Sequence, residues 1–124
     1  MGSRIYLQEP ITYGTPAVHM SPSPAQPHSV VFEDDGETGY FYARDGESVV
    51  DAIQIYRAAD LSGTATLQIA WADDGLKAVA VVDRRPRAVF DFATRRGYSR
   101  SDFPPPAQGW TGHAWDDAAI NLFR

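Results

Sequence analysis

The chain predicts a mainly β fold of antiparallel meanders, forming either one curved sheet or a two-layer sandwich, with a short C-terminal helix. Two acidic turns, Asp34-Asp35-Gly36 and Asp73-Asp74-Gly75, carry most of that expectation. Val30-Val31-Phe32 and Tyr40-Phe41-Tyr42-Ala43 flank the first turn. Leu67-Gln68-Ile69-Ala70-Trp71 and Ala78-Val79-Ala80-Val81-Val82 flank the second. Asp-Gly accepts positive φ and closes β-hairpins, so each turn joins two antiparallel neighbours. The flanking runs are short, rich in β-branched and aromatic residues, and bounded by turn formers, which is the composition of strands.

Residues 1–28 carry five prolines, at 10, 16, 22, 24 and 27. Within them Ile5-Tyr6-Leu7 and Ile11-Thr12-Tyr13 read as short edge strands. His19 to His28 reads as irregular and extended, because Pro-x-Pro spacing blocks helix and ladder alike. A single β-rich domain is expected over 29–124. Its strands are predicted at 29–33, 38–43, 50–56, 65–71, 77–82 and 87–92. The third has a rival: Ser48-x-x-Asp51 resembles a capping box that would open a helix through Arg57. Val49-Val50 and Ile53-x-Ile55-Tyr56 favour strand. Apolar run, Asp-Asp-Gly, apolar run, turn, apolar run occurs from Val30 to Tyr56 and again from Leu67 to Phe92, which implies two three-stranded meanders. Residues 93–113 form a long connection whose Tyr98, Phe103 and Trp110 argue for order. In the tail, Asp116 is a candidate N-cap with Ala119, Ile120 and Phe123 facing inward. Alternation predicts a core of Phe32, Tyr42, Ile53, Ile55, Leu67, Ile69, Trp71, Val79, Val81, Phe90 and Phe92.

A chain of 124 residues has room for one domain with its own core, and 44 % apolar content with 15 aromatics fits an ordered globule. There is no cysteine, which removes disulfides, thiol catalysis and thiolate zinc sites. Met1 to Met20 has no apolar h-region, and no run approaches the ~20 apolar residues of a membrane span, so a soluble, cytoplasmic chain without membrane partners is expected. Net charge is −5 and unevenly spread. Glu33 to Asp51 holds seven acids and one base, whereas Arg84 to Arg100 holds six arginines and one acid. A dipolar molecule follows if the two segments lie on different faces.

These residues also resemble a known group. Val31-Phe32-Glu33-Asp34-Asp35-Gly36-Glu37-Thr38-Gly39-Tyr40-Phe41-Tyr42-Ala43 is similar to the start of an uncharacterised bacterial family, domain of unknown function 2251. Asp51-Ala52-Ile53-Gln54-Ile55-Tyr56, Trp71 through Asp74-Gly75-Leu76-Lys77-Ala78, and Ala88-Val89-Phe90-Asp91-Phe92 with Arg96-Gly97-Tyr98 and Phe103-Pro104-Pro105 look like it too. The resemblance covers residues 30–123. It implies a bacterial source and a small stand-alone protein, and it brings no activity, cofactor or catalytic residue to carry over.

Candidate chemistry is sparse. Glu33, Asp34, Asp35 and Glu37 offer oxygen ligands but lack the alternating spacing of a calcium loop, so a solvated turn and no metal is expected. His19, His28 and His113 have no ligand spacing. Ser29 or Ser99 with His113 and Asp116 would supply a Ser-His-Asp set, without a nucleophile elbow to support it. The arginines of 84–100, interleaved with Phe90, Phe92 and Tyr98, invite nucleic acid, but the acidic whole opposes it; Arg95 and Arg96 are placed against the acids of the first meander instead. No cofactor is implied. The sequence therefore favours a non-enzymatic binding or interaction protein, of immunity or antitoxin type, taking a basic protein partner on Glu33, Asp34, Asp35, Glu37 and Glu47. The competing expectation is a small hydrolase-like enzyme, or a small-molecule or nucleic-acid binder. Its cleft or lid lies near the 94–115 aromatic loop, at Arg96, Tyr98, Phe103, Trp110, His113 and Trp115.

Overall fold

Apolar residues at every second position must bury one face of each strand, and two such sheets satisfy one another by packing face to face. The computed structural model, which describes residues 2–25, 27–99 and 111–115, shows this arrangement. Its strands are β1 (Ser3–Thr12), β2 (Ala17–Pro22), β3 (His28–Asp34), β4 (Thr38–Asp45), β5 (Ser48–Arg57), β6 (Thr64–Ala72), β7 (Lys77–Val82), β8 (Arg85–Asp91), β9 (Arg96–Ser99) and β10 (Thr111–Ala114). One sheet has the order β1-β6-β7-β8-β9-β10 and the other β2-β3-β4-β5. β10 runs parallel to β9, and the other paired strands are antiparallel.

The two predicted meanders fall one in each sheet. β3–β5 send Val30, Phe32, Phe41, Ala43, Ile53 and Ile55 into a shared core with Leu67, Ile69, Trp71, Ala80, Val82 and Phe90 of β6–β8. Phe41 and Phe90 stack across the layers with ring centroids 5.1 Å apart. The chain is thus two packed layers rather than one curved sheet. Both Asp-Asp-Gly turns lie in hairpin connections, with Gly36 at φ 102° and Gly75 at φ 71°. The β7–β8 turn reaches the same geometry without glycine: Asp83 and Arg84 have φ of 53° and 68°. β-Branched and aromatic content wins over the capping box, and Ser48–Arg57 is a strand.

Several expectations need correction. The two short N-terminal edge strands are one continuous strand, β1, broken only by a bulge between Ile5 and Leu7. Pro10 is tolerated because β1 is an edge and needs no donor on its free side. β2 occupies the first part of the segment expected to be irregular. Pro16 and Pro22 sit before and at its ends, while Pro24 and Pro27 fall in the loop that follows. β4 is shifted by one residue from the predicted face: Phe41 and Ala43 are buried, and Tyr42 points outward. Three consecutive aromatics, Tyr40-Phe41-Tyr42, leave alternation without a polar residue to fix the face. Val79 is buried but on the outer side of its sheet, with Ala72 and Val89, and Val81 is half-buried beside them. The C-terminal helix capped by Asp116 lies outside the described residues, within which the helical structure is a single 3-10 turn at Ala58–Asp60.

Candidate interaction face

Along β3 the side chains alternate. Val30, Phe32 and Asp34 point to the core, so Ser29, Val31 and Glu33 point out. Their antiparallel partners share the outer face: Pro22, Met20 and Val18 on β2, and Arg44, Tyr42 and Tyr40 on β4. Val18, Met20 and Val49 stand more than half exposed, and Val31 is covered between them. The Tyr42 hydroxyl donates to the Glu33 carboxylate. The Arg44 guanidinium reaches the Met20 sulfur at 3.6 Å and donates to the Glu47 carbonyl at 3.3 Å.

Acids close both ends of this face. Asp35 and Glu37 lie in the β3–β4 turn, Glu47 in the β4–β5 turn. The eight residues of β4 hold the two ends roughly 25 Å apart. The result is an apolar and tyrosine-bearing centre with an acidic rim. The Asp35 carboxyl is held below the usual carboxylate range by the backbone N–H groups of Glu37 and Thr38.

Three of the seven acids do not belong to that rim; Asp45 alternates inward with Phe41 and Ala43 and lies 3.8 Å from the His28 ring. Asp34 is 1 % exposed. Its Oδ1 accepts from the Gly36 N–H at 2.8 Å, and its Oδ2 from the Gly14 N–H at 2.9 Å and the Tyr56 hydroxyl at 2.7 Å. Tyr56 can lie there because Gly39, on the neighbouring strand, has no side chain: a Cβ would overlap the ring. Tyr13 meets Tyr56 edge-on at 5.0 Å. Asp34 is therefore a hub tying the β1–β2 turn, the β3–β4 turn and the end of β5, not a solvated turn residue. Asp51 is also buried; its Oδ1 accepts the Ala52 N–H at 2.9 Å, and its other oxygen lies against Gly97 of the opposite sheet. The sequence marks neither Asp34 nor Asp51 as special, since a strand's inward parity is invisible when Glu33, Asp34 and Asp35 run together.

Burial, and then the hydrogen bond to Glu33, push the Tyr42 hydroxyl up to about 12. Burial and then Asp34 raise Tyr56 above its ordinary value as well. A tyrosine raised on folding stays protonated in the native state when the unfolded chain has begun to ionise. Its stabilisation is full below the unfolded value near 10 and is lost as pH rises toward the folded one. Melting temperature is expected to fall as pH climbs beyond about 10, and Tyr42→Phe and Tyr56→Phe should each flatten that fall. Thermal melts between about pH 8 and 11.5 measure it, and parallel curves for wild type and both variants would refute the assignment.

The other predicted site residues scatter. Arg96 is exposed at the start of β9, and Tyr98 is half-buried on the outer side of the six-stranded sheet. Trp115 packs with it against the cluster of Ala72, Val79 and Val89. His113 lies on β10, in register with Tyr98. Phe103 and Trp110 fall outside the described residues, as does Asp116. Arg84 and Arg85 lie at the β7–β8 turn, Arg95 and Arg96 at the opposite end of β8. Among the described residues, Arg95 and Arg96 make no ion pair with the acids of β3–β5. Ser29 and Ser99 are both buried, one in each sheet. His19 stacks on Phe32 and His28 on Phe92, at 6.3 and 4.4 Å. No group of three or more metal-ligating side chains occurs among the described residues. An open cavity of about 520 Å³ lies beside the Asp34 hub, lined by Tyr13, Gly36, Glu37, Thr38, Arg57 and Ala58, and takes in Glu37 alone of the predicted residues.

Two packed, predominantly antiparallel sheets, with one outer face apolar at its centre and acidic at its ends, define a β-sandwich protein. The chain belongs to the family described as "Uncharacterized protein conserved in bacteria (DUF2251)", whose model matches residues 11–124. A protein of Haemophilus influenzae, itself described as uncharacterized, is 37 % identical over 108 residues, which cover 81 % of this chain and 67 % of that one. No solved structure matches the chain. No helix among the described residues is long and apolar enough to cross a membrane.

Proposed function

We propose that this chain is a non-enzymatic binding protein that takes a basic protein partner on the outer face of its four-stranded sheet, in the manner of an immunity or antitoxin protein. The observation that carries the proposal is the composition of that face. Val18, Met20, Tyr40, Tyr42 and Val49 form its centre, and Glu33, Asp35, Glu37 and Glu47 stand among and around them, with Arg44 the cation inside the rim. Protein interfaces bury apolar and tyrosine anchors centrally and leave charges at the rim, where they steer association. Asp34, buried beneath the face, supports its fold and takes no part in contact. An enzyme or ligand binder near 94–115 draws only on Tyr98 and Trp115 packing against one cluster on the far sheet.

Affinity capture from the native host tests this with two variants. Tyr40→Ala/Met20→Ala alters the centre, and Glu33→Gln/Glu37→Gln/Glu47→Gln the rim. A basic protein should be retained by wild type, released by salt, and lost to the centre variant. The rim variant should bind it more slowly, with a flatter salt dependence. Identical retention by all three proteins, or retention of an acidic partner, would overturn the proposal.

A further inference from the structure

β1 is the end strand of the six-stranded sheet, ten residues long, and all its residues but Leu7 and Ile11 are exposed. Its far side faces no strand among the described residues. It carries Ile5 and Tyr6, two of the five exposed large hydrophobic residues among the described residues. A long exposed edge with apolar side chains is a template for strand addition unless something covers it. The pattern of β1 says what fits there. Arg4 and Glu9 are five residues apart, which would put them on opposite faces of a regular strand. The bulge at Tyr6 changes the parity: Arg4 stands opposite Trp71 and Glu9 opposite Leu67, both core-facing residues, so the two charges share one face and one hydrogen-bonding edge. Ile5 and Gln8, opposite Ala70 and Gln68, share the other.

We infer that β1 is a homodimer interface, along which two copies of this chain pair antiparallel about a two-fold axis between Tyr6 and Leu7. In that register Arg4 of each copy stands opposite Glu9 of the other, and Ile5 opposite Gln8. Tyr6 and Leu7 of both copies form an apolar centre. The bulge, which would spoil a longer ladder, sits on the axis, and each half-strand pairs with the complementary half of its twin. The interface is isologous, so one complementary pair of charges is satisfied twice. Neither Arg4 nor Glu9 makes an ion pair among the described residues, and both are exposed. The family match begins at residue 11, so the paired segment is a feature of this chain rather than of the matched region.

Sedimentation equilibrium on the full chain reads the result. A species of twice the 13.6 kDa chain mass is expected, with a dissociation constant of roughly 1–100 μM for so small an interface. Arg4→Glu and Glu9→Arg should each weaken it about tenfold or more, because each places like charges opposite one another twice. An equimolar mixture of the two variants should restore the dimer, since every opposed pair is then of unlike sign. Unchanged circular dichroism melts show that both variants fold. A wild type that stays monomeric at about 1 mM, single variants that dimerise like wild type, or a mixture that stays monomeric would each overturn the inference.

Discussion

Asp34→Ala is expected to destabilise the fold by about 3–5 kcal/mol, because it leaves the Gly14 and Gly36 N–H groups and the Tyr56 hydroxyl without their shared acceptor. Each donor was desolvated on folding, and alanine returns nothing to it. Asp34→Asn separates hydrogen bonding from shape. It keeps the volume and one acceptor oxygen but sets an NH2 group against a donor, and should cost about 1–3 kcal/mol. Urea unfolding at constant slope reads both numbers. The damage should concentrate at one end of the sandwich, with faster amide exchange at Gly14 and Gly36 than at the β6–β7 ladder. A loss below about 1 kcal/mol for the alanine variant would show that Asp34 is not the hub described above.

Trp71→Ala should cost a similar amount, about 3–5 kcal/mol. The indole is fully buried on β6, stacks on Phe92 with centroids 5.9 Å apart, and donates its N–H to the Ser21 hydroxyl at 3.0 Å. Ser21 lies on β2, so this hydrogen bond ties one sheet's edge strand to an interior strand of the other sheet. Trp71→Phe keeps most of the apolar volume and loses the bond. Ser21→Ala loses the bond and keeps the indole. In a double-mutant cycle the pair should therefore couple by about 1 kcal/mol. Independent effects would show that the hydroxyl is incidental.

The strands that the sequence displays most clearly are those whose alternation is broken by a turn residue at each end. Leu67 to Trp71 is the best case: Asp74-Gly75 fixes the hairpin that follows, and Leu67, Ile69 and Trp71 are buried as their spacing predicts. Alternation fails where neighbours are alike, as in Tyr40-Phe41-Tyr42, because hydrophobicity then carries no parity. It also fails at Glu33-Asp34-Asp35, where three acids in a row conceal that the middle one points to the core. The Pro-rich start misleads for another reason. Proline forbids a central ladder, but β1 and β2 are edges, and an edge asks for donors on one side only. The face proposed to take a partner is half legible: the acids stand out as a charge run, whereas the apolar centre they surround is assembled from β2, β4 and β5 by pairing. Of the 94–115 residues, Tyr98 and Trp115 pack against the same cluster, an arrangement that no local pattern announces.

The pairing of β1 with β6 also sets an order of events. Thr12 meets Thr64 and Ser3 meets Ala72, so β1 finds its partner 52 to 69 residues later in the chain. β2 through β5 are each joined to the next strand in sequence and can assemble as soon as they are made. At about 5–20 residues per second on the ribosome, β1 waits several seconds for its partner while the four-stranded sheet forms behind it. The last closure is the slow, long-loop kind that limits the folding of β-sandwiches. β1 thus emerges before the four-stranded sheet and is seated after it.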